Sequence, residues 1–515
     1  VSKEAEKDFK QRLADARQFK SDIRADLMEG YFFTAPRRAR DVTADSASRG
    51  KSTASADQAE LQTTLGIECS DDFTGMAVDA FMPSHLDWCR RGQGHLPNAV
   101  WAEIAQDVGV QDAVIMATIR ASKLHAVIDQ AFNPDLSLGT AALWIEQGAS
   151  AAPPEVRPVP IKNLDINIGP NGVDERFVSK FIAARNLKGE LGDLPFSDKT
   201  RQKIEKQPSA SVEVNWGLWR DYSVPLEERW QYKIMADKHL VHEEVIVGDG
   251  SCPLLVMRFG VDPTNPWGDG PTLQALPYLR VADALAGVTQ DNAEFQVDPA
   301  FIYPNDGFIN FEGGIQHGMA YPGGPGFDAK NIAWLRPDSN PNAGYLTIED
   351  LRQAVRRLYY SDFPEQKGKT PPTASQWVDE MVKMQKRIGL KGQMFWWEGP
   401  RAIFQRFRYL LEKAGIIRPI VVNGATVALE PYNPAVKGQE YQEVQTAIQL
   451  LQTGLAFGGI QFQAALNTMA TLDNLQRKLG DSLVVWNTEE EAQKMMMLLA
   501  PQADLNIGNA PNVAQ

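Results

Sequence analysis

Three places in this 515-residue chain hold residue types that do chemistry in other proteins, and in each the spacing argues against it. Gly50-Lys51-Ser52 has the end of a phosphate-binding loop. The glycine such a loop needs five residues before Gly50 is replaced by Asp45, and no apolar strand precedes it. His239, His242 and Glu243 are metal-ligand types. They lie in Ser211–Val247, which alternates in the manner of several antiparallel strands, and residues three apart on a strand face opposite sides. Cys69, Cys89 and Cys252 fit neither a zinc site nor a redox pair, and so odd and low a count fits a reducing compartment. No catalytic residue, metal or cofactor is expected.

The remaining candidates are residues of contact. Arg352, Arg356 and Arg357 share one face of an amphipathic segment, Thr347–Tyr360, whose other face is Ile348, Leu351, Val355, Leu358 and Tyr359. Ser361–Pro372 must be a loop, because Pro364, Gly368, Pro371 and Pro372 forbid a regular element. That loop carries Gln366, Lys367 and Lys369. Between Pro299 and Tyr345, glycines and prolines interleave with Phe308, Phe311, Tyr321, Phe327 and Trp334, with Arg336 beside them. This reads as short strands and loops around an aromatic mini-core.

The elements that position these residues follow from periodicity. A tight turn, Trp267-Gly268-Asp269-Gly270-Pro271, opens a sparsely charged run from Thr272 to Phe295 with Leu273, Leu276, Leu279, Leu285 and Val288. Pro277 marks either its true start or a kink. Two helices bracketing a small insert describe a stalk with a docking head, and so few charges on the first helix imply burial on most sides. Thr347–Asp350 has the form of a capping box that starts the second helix.

Before the stalk, residues 4–33 read as a surface helix and Thr43–Ala59 as a flexible loop. Asp71–Trp88 reads as a helix broken near Pro83, and Asn98–Phe132 as one or two helices stopped by Asn133-Pro134. Gly139–Glu146 reads as a strand, the prolines of Ala149–Pro160 as a turn, and Asp165–Val173 as a strand pair turned at Asn171-Gly172. Asp174–Arg185 reads as a helix and Gly248-Asp249-Gly250 as a hairpin turn. After the stalk, a second capping box at Thr373 starts a long helix to Ala414, kinked at Gly399-Pro400. A strand pair turned at Asn423-Gly424 follows, then helices from about Glu440 to Leu499 and a polar tail. The expected fold class is α+β, mainly helical.

At 43% hydrophobic and 23% charged residues, the chain is ordinary globular material, long enough for two to four domains. It has no apolar run of the roughly 18 residues that a membrane helix needs. Its opening residues are charged, so no secretory signal is expected, and a start at Val1 points to processing or to numbering from a later residue. A net charge of −13 opposes a tight grip on DNA, which rewards neutralising phosphates with counterion release. Any DNA contact should be local and weak.

Trp267-Gly268-Asp269-Gly270-Pro271 followed by Leu276-Pro277-Tyr278-Leu279-Arg280 resembles the portal, or head-to-tail connector, proteins of short-tailed bacteriophages. That family shows Tyr-Gly-x-Gly-Pro and a Leu-Pro-x-x-Arg helix; here Trp267 replaces the Tyr, and Asp269 a frequently basic residue. Other segments agree in order. Gly139-Thr140-Ala141-Ala142 resembles an early Gly-Thr-Ala strand, and Gly172–Phe177 a Gly-x-x-Asp segment. Pro253–Phe259 resembles a Pro-x-x-x-x-Arg-Trp strand, and Thr373–Gln376 a Thr-Ala-x-Glu helix start. Tyr432–Ala435 and Trp486–Glu491 match two further motifs nearer the C-terminus.

The resemblance implies a ring, usually of twelve chains, at one capsid vertex of the virion, assembled in the host cytoplasm. Double-stranded DNA passes through its channel. Residues 1–270 would be the wing, 271–298 and 347–361 the stem helices, 299–346 the clip and 362–372 the tunnel loop. Residues 373–439 would add a long wing helix and strands, and 440–515 the crown and tail. Gln366, Lys367, Lys369, Arg352 and Arg356 would face the DNA channel. Phe308, Phe311, Tyr321, Phe327, Trp334 and Arg336 would form the clip surface that meets the terminase large subunit and then the tail adaptor, and Trp267, Gly268, Gly270 and Pro271 the stem turn. Major capsid and scaffolding proteins would be further partners, and a membrane would not. The alternatives are another neck or ring scaffold protein, separable by ring size, or a nuclease or ATPase, for which the chain lacks a convergent carboxylate cluster or a complete phosphate loop.

Overall fold

The structure is a computed structural model. It describes residues 3–36, 60–85, 87–92, 96–148, 152–225, 227–304, 317–323, 333–335, 341–362, 387–389, 391–422, 425–426, 429–431, 446–453, 471 and 475. In chain order the elements are α1 (Lys3–Thr34), α2 (Leu65–Phe81), β1 (Cys89–Arg91), α3 (Asn98–Ala121), α4 (Leu124–Phe132), β2 (Thr140–Glu146), β3 (Glu155–Val159), β4 (Leu164–Gly169) and β5 (Gly172–Ala183). Next come α5 (Leu187–Leu191), α6 (Asp198–Lys206), β6 (Ser211–Arg220), β7 (Arg229–Ala236), β8 (His239–Val247), β9 (Leu254–Arg258) and α7 (Pro271–Val297). The rest are β10 (Ala300–Pro304), β11 (Ala320–Gly323), β12 (Ala333–Leu335), α8 (Pro341–Leu358), α9 (Gln393–Glu398), α10 (Pro400–Lys413), β13 (Val421–Val422), β14 (Ala425–Thr426) and β15 (Leu429–Pro431). Helix and sheet are mixed, as an α+β fold requires. The chain divides into two units, 1–435 and 436–515, and in the second the described residues include a helical segment at 446–453.

Two sheets and a helical layer organise the first unit. Strands β4 to β8 form an antiparallel meander in sequence order, and β3, β2 and β9 form a second antiparallel sheet with β2 in the middle. Alternation along β2 sends Ala142 and Trp144 toward the five-stranded sheet, where they pack with Val178, Trp216 and Ile234. Ala141, Leu143 and Ile145 face the opposite way, into a core shared with α2, α4, α10 and the near ends of α7 and α8. The outer face of the five-stranded sheet is covered by α1, through Phe9, Leu13 and Ala16 against Phe177, Trp219 and Met235. Around that contact, Arg12 pairs with Glu175, Arg17 lies 3.0 Å from Glu213, and the buried Lys20 lies 3.2 Å from Asp165. So α1 is the expected surface helix, with one face buried on the sheet and ion pairs along its edges.

Several expectations need correction. Asp174–Arg185 is strand, not helix, and most of it is the twelve-residue β5. Phe177 and Phe181, and Val178 and Ile182, recur four apart as on a helix. Phe177 packs under α1 while Val178 and Ile182 pack toward the second sheet, so the polar–apolar alternation of a one-sided strand is missing. The proline-rich turn at Ala149–Pro160 contains β3, where Pro158 is tolerated because β3 is an edge strand. Gly248-Asp249-Gly250 does not turn a hairpin: β8 and β9 belong to different sheets, and the segment crosses between them. The helix expected from Asp71 to Trp88 begins at Leu65 and stops at Phe81, before Pro83.

The stalk expectation fares better. α7 runs unbroken from Pro271 to Val297 with Pro277 inside it. α8 begins at Pro341, so Thr347 lies inside the helix and Thr347–Asp350 is not its cap. Proline suits a first helical turn, where its missing N–H has no partner to lose. The break at Gly399 separates α9 from α10 where a kink is expected, and β13 and β14 form the expected pair. The earlier part of that long helix, Thr373–Lys386, lies outside the described residues, as do Thr43–Ala59 and most of the C-terminal helices.

Candidate functional site at the stalk base

The turn before α7 rests on the segment that leads into β2, backbone against backbone. Gly139 has φ +112°, and a Cβ on it would lie 2.3 Å from the Gly268 carbonyl oxygen. A Cβ on Gly268 would lie 2.0 Å from the Gly139 carbonyl oxygen, and one on Gly270 2.3 Å from the Gly139 nitrogen. Only hydrogen fits between these strands of chain. Polar contacts fix the register: Gly268 N–H donates to Thr140 Oγ1 (3.0 Å), Thr272 N–H to the Ser137 carbonyl (2.9 Å) and Phe259 N–H to the Gly139 carbonyl (2.9 Å).

One layer deeper, four buried hydroxyls join four separate pieces of chain. Tyr359, just past α8, donates to Thr272 Oγ1 on α7 (2.8 Å). Thr272 Oγ1 bonds Ser137 Oγ (3.0 Å), which lies 2.8 Å from Ser70 Oγ on α2 and donates to the Pro134 carbonyl (2.7 Å). A hydroxyl both donates and accepts, so such a chain satisfies its members without water. Because Tyr359 ends α8 and Thr272 starts α7, the two helices run antiparallel from a common root. Burial raises the Tyr359 phenol well above its ordinary range and pushes the neighbouring Cys69 thiol up to about 11, so both stay neutral.

A second clamp holds the strand that leads into the turn. Arg258 is fully buried, and its guanidinium meets the Glu398 carboxylate at 2.5 Å. Glu398 also accepts from the Arg258 backbone N–H (3.1 Å), and Arg258 Nη1 donates to the Pro266 carbonyl (3.3 Å). Glu398 ends α9 at the Gly399 break, so the pair ties β9 to the bend in the long helix.

At the far end of α7, β10 pairs parallel with β11 and antiparallel with β12. Tyr321 is buried on β11, and the β12 residue Trp334 pairs in register with Phe301. The stalk therefore joins a small sheet at one end to the core at the other.

A family model described as bacteriophage head to tail connecting protein matches residues 6–483. The chain belongs to that family. A solved structure titled as the virion of a native gene transfer agent particle superposes with a TM-score of 0.31 at 11% identity, over 87% of this chain and 93% of that one. That likeness is too loose to carry an argument. No curated protein matches.

In this connector, then, the expected site residues fall in different places. Trp267, Gly268, Gly270 and Pro271 sit together at the stalk base, with Trp267 and Pro271 buried. Arg352 is exposed on α8, 3.8 Å from Glu349, whereas Arg356 is half-buried beside Asp72 on α2. Phe308, Phe311, Phe327, Arg336, Gln366, Lys367 and Lys369 lie outside the described residues. Sequence reading did not single out Ser70, Ser137 or Glu398, and it placed Tyr359 only on the apolar face of Thr347–Tyr360. Arg258 and Thr140 sat in quoted motifs without a role, and their position in those motifs was the available signal. Among the described residues no group of three His, Cys, Asp or Glu side chains could hold a metal ion, and no helix is long and apolar enough to cross a membrane.

Proposed function

We propose that the connector is a portal protein of a short-tailed phage: about twelve copies form a ring at one capsid vertex, and double-stranded DNA is packaged and ejected through it. Residues 271–298 and 347–361 are the stem, built on α7 and the later part of α8; 299–346 are the clip, 362–372 the tunnel loop and 440–515 the crown. The clip receives the terminase large subunit during packaging and the tail adaptor afterwards, while capsid and scaffolding proteins surround the ring. The chain itself has no catalytic role.

The observation that carries this reading is the antiparallel helix pair, locked into the core at its base and carrying a small sheet at its tip. A net charge of −13 agrees with a channel that must let DNA slide. The test is the mass and symmetry of the purified particle, with scaffolding protein present and absent. Twelve chains of 57.1 kDa make a closed ring of roughly 690 kDa with a central hole. A monomer or dimer under both conditions overturns the proposal.

Charge reversal of the loop cations sharpens it. Lys367→Glu with Lys369→Glu should slow DNA packaging while rings still assemble. Packaging at the normal rate, or failure to form rings, contradicts a tunnel-loop role.

A further inference from the structure

α8 stops in a way that its own residues do not favour. Ser361 N–H donates to the Arg356 carbonyl (2.9 Å) and Tyr360 N–H to the Arg357 carbonyl (3.4 Å). This closing pattern puts one residue in the left-handed region, a place that glycine usually takes. Here Tyr360 takes it, with φ +59°. A side chain in that conformation is strained and persists only where its surroundings fix it. Part of the fixing is aromatic. Tyr360 is buried, with its ring centroid 6.2 Å from that of Phe73 on α2 and 6.1 Å from that of Phe259.

The rest comes from Arg387, which lies 25 residues beyond Asp362 in sequence. Its guanidinium stands 5.5 Å from the Tyr360 ring centroid. Its Nη1 meets the Asp362 carboxylate at 3.0 and 3.2 Å, and its Nη2 donates to the Arg357 carbonyl (2.8 Å). That carbonyl belongs to the last turn of α8, where acceptors lack helical partners and the dipole favours a cation. A planar fork can serve the ring, the carboxylate and the carbonyl at once, whereas a lysine ammonium is a point charge. Asp362 and Arg387 are therefore two sides of one joint, and the chain between them, 363–386, leaves and returns there.

We propose that Arg387 is a positioning residue for the segment 363–386. By holding Tyr360 in its strained conformation and Asp362 against the end of α8, it fixes where that segment departs from the stem. The clamp itself is independent of the portal reading. Its consequence rests on that reading, in which 362–372 is the tunnel loop: Arg387 then anchors the loop, and its three protein partners leave it no part in gripping DNA.

The test is hydrogen–deuterium exchange of the full-length connector, read on peptides spanning 356–362, beside its melting temperature. Arg387→Gln should speed exchange there about tenfold and leave the melting temperature in place, because a half-exposed ion pair contributes little to global stability. Asp362→Asn, which keeps the carbonyl bond and the stack, should speed it about threefold. Arg387→Lys should restore only part of the protection. Unchanged exchange in Arg387→Gln would overturn the proposal. So would faster exchange spread evenly over the chain with a lowered melting temperature, the mark of a residue that only stabilises the fold. In particles of ring mass, Arg387→Gln should also slow DNA packaging, and packaging at the parent's rate would overturn the positioning role. If the parent forms no ring, the portal reading fails, while the exchange result still decides the clamp.

Discussion

The two halves of α7 are made of similar residues and live in opposite surroundings. At its base, Thr272, Ala275, Leu276, Leu279 and Ala282 are buried in the chain's own core, and the one polar side chain among them is hydrogen-bonded on both sides. Along another face, which starts beside that core and continues past it, Val281 is 53% exposed and Val288 56%, and Ala284 is exposed between them. The sparse charge of the helix predicts burial on most sides, and a single chain supplies that burial mainly at the root, with Thr289 the buried residue beyond Ala282. The root is thus complete in one copy. In the proposed ring the outer face is what a neighbouring copy would cover.

This contrast can be broken at its stronger end. Gly139→Ala places a methyl where the Gly268 carbonyl already sits, in a backbone conformation that alanine resists. The expected cost is about 3 kcal/mol or more, seen as a large drop in unfolding free energy or as loss of soluble protein. A variant as stable as the parent would mean that the two backbones do not touch. Tyr359→Phe is milder: it removes one donor from Thr272 and keeps the ring, for a loss of about 1 kcal/mol by denaturant titration. An unchanged midpoint would remove the hydroxyl chain from any account of the root.

How much of this was legible depends on whether an element's signal is local. The glycine turn, α7 and the break at Gly399 are written in Gly and Pro, which act through their own backbone. β5 was misread because its two apolar faces meet α1 and the second sheet, partners far off in sequence that no local pattern reveals. The hydroxyl hub was invisible for the same reason. Ser70, Ser137, Thr272 and Tyr359 are ordinary residues until the fold brings them within 3.0 Å of one another. The aromatic residues of the insert drew notice by type, and of these Tyr321 and Trp334 fall on strands of the small sheet.

The weaker end of the contrast predicts a split between stability and assembly. Val281→Asp with Val288→Asp should change the unfolding free energy of the free chain by no more than about 0.5 kcal/mol, because both side chains already face solvent. The same pair should abolish the ring, because a buried unpaired carboxylate is costly in every interface it enters. Rings that form normally would show that this face stays in water. A destabilised chain would show that it is packed within the monomer.

The smallest effect expected is on the helical core beneath the root. Burial lowers the pKa of His125 on α4 from its usual 6.5, and its Nε2 is buried without a partner. The folded chain therefore resists protonation more than the unfolded chain does. Above about pH 6.5 both states hold neutral imidazole and the residue contributes no pH dependence. As pH falls through 6.5 toward the lower folded value, the unfolded state takes up the proton first and stability declines. His125→Gln cannot take up that proton, so its melting temperature should fall less between pH 7.5 and 5 than that of the parent. Parallel curves for the two proteins would mean that acid acts on the connector elsewhere, and that the root owes none of its pH response to this imidazole.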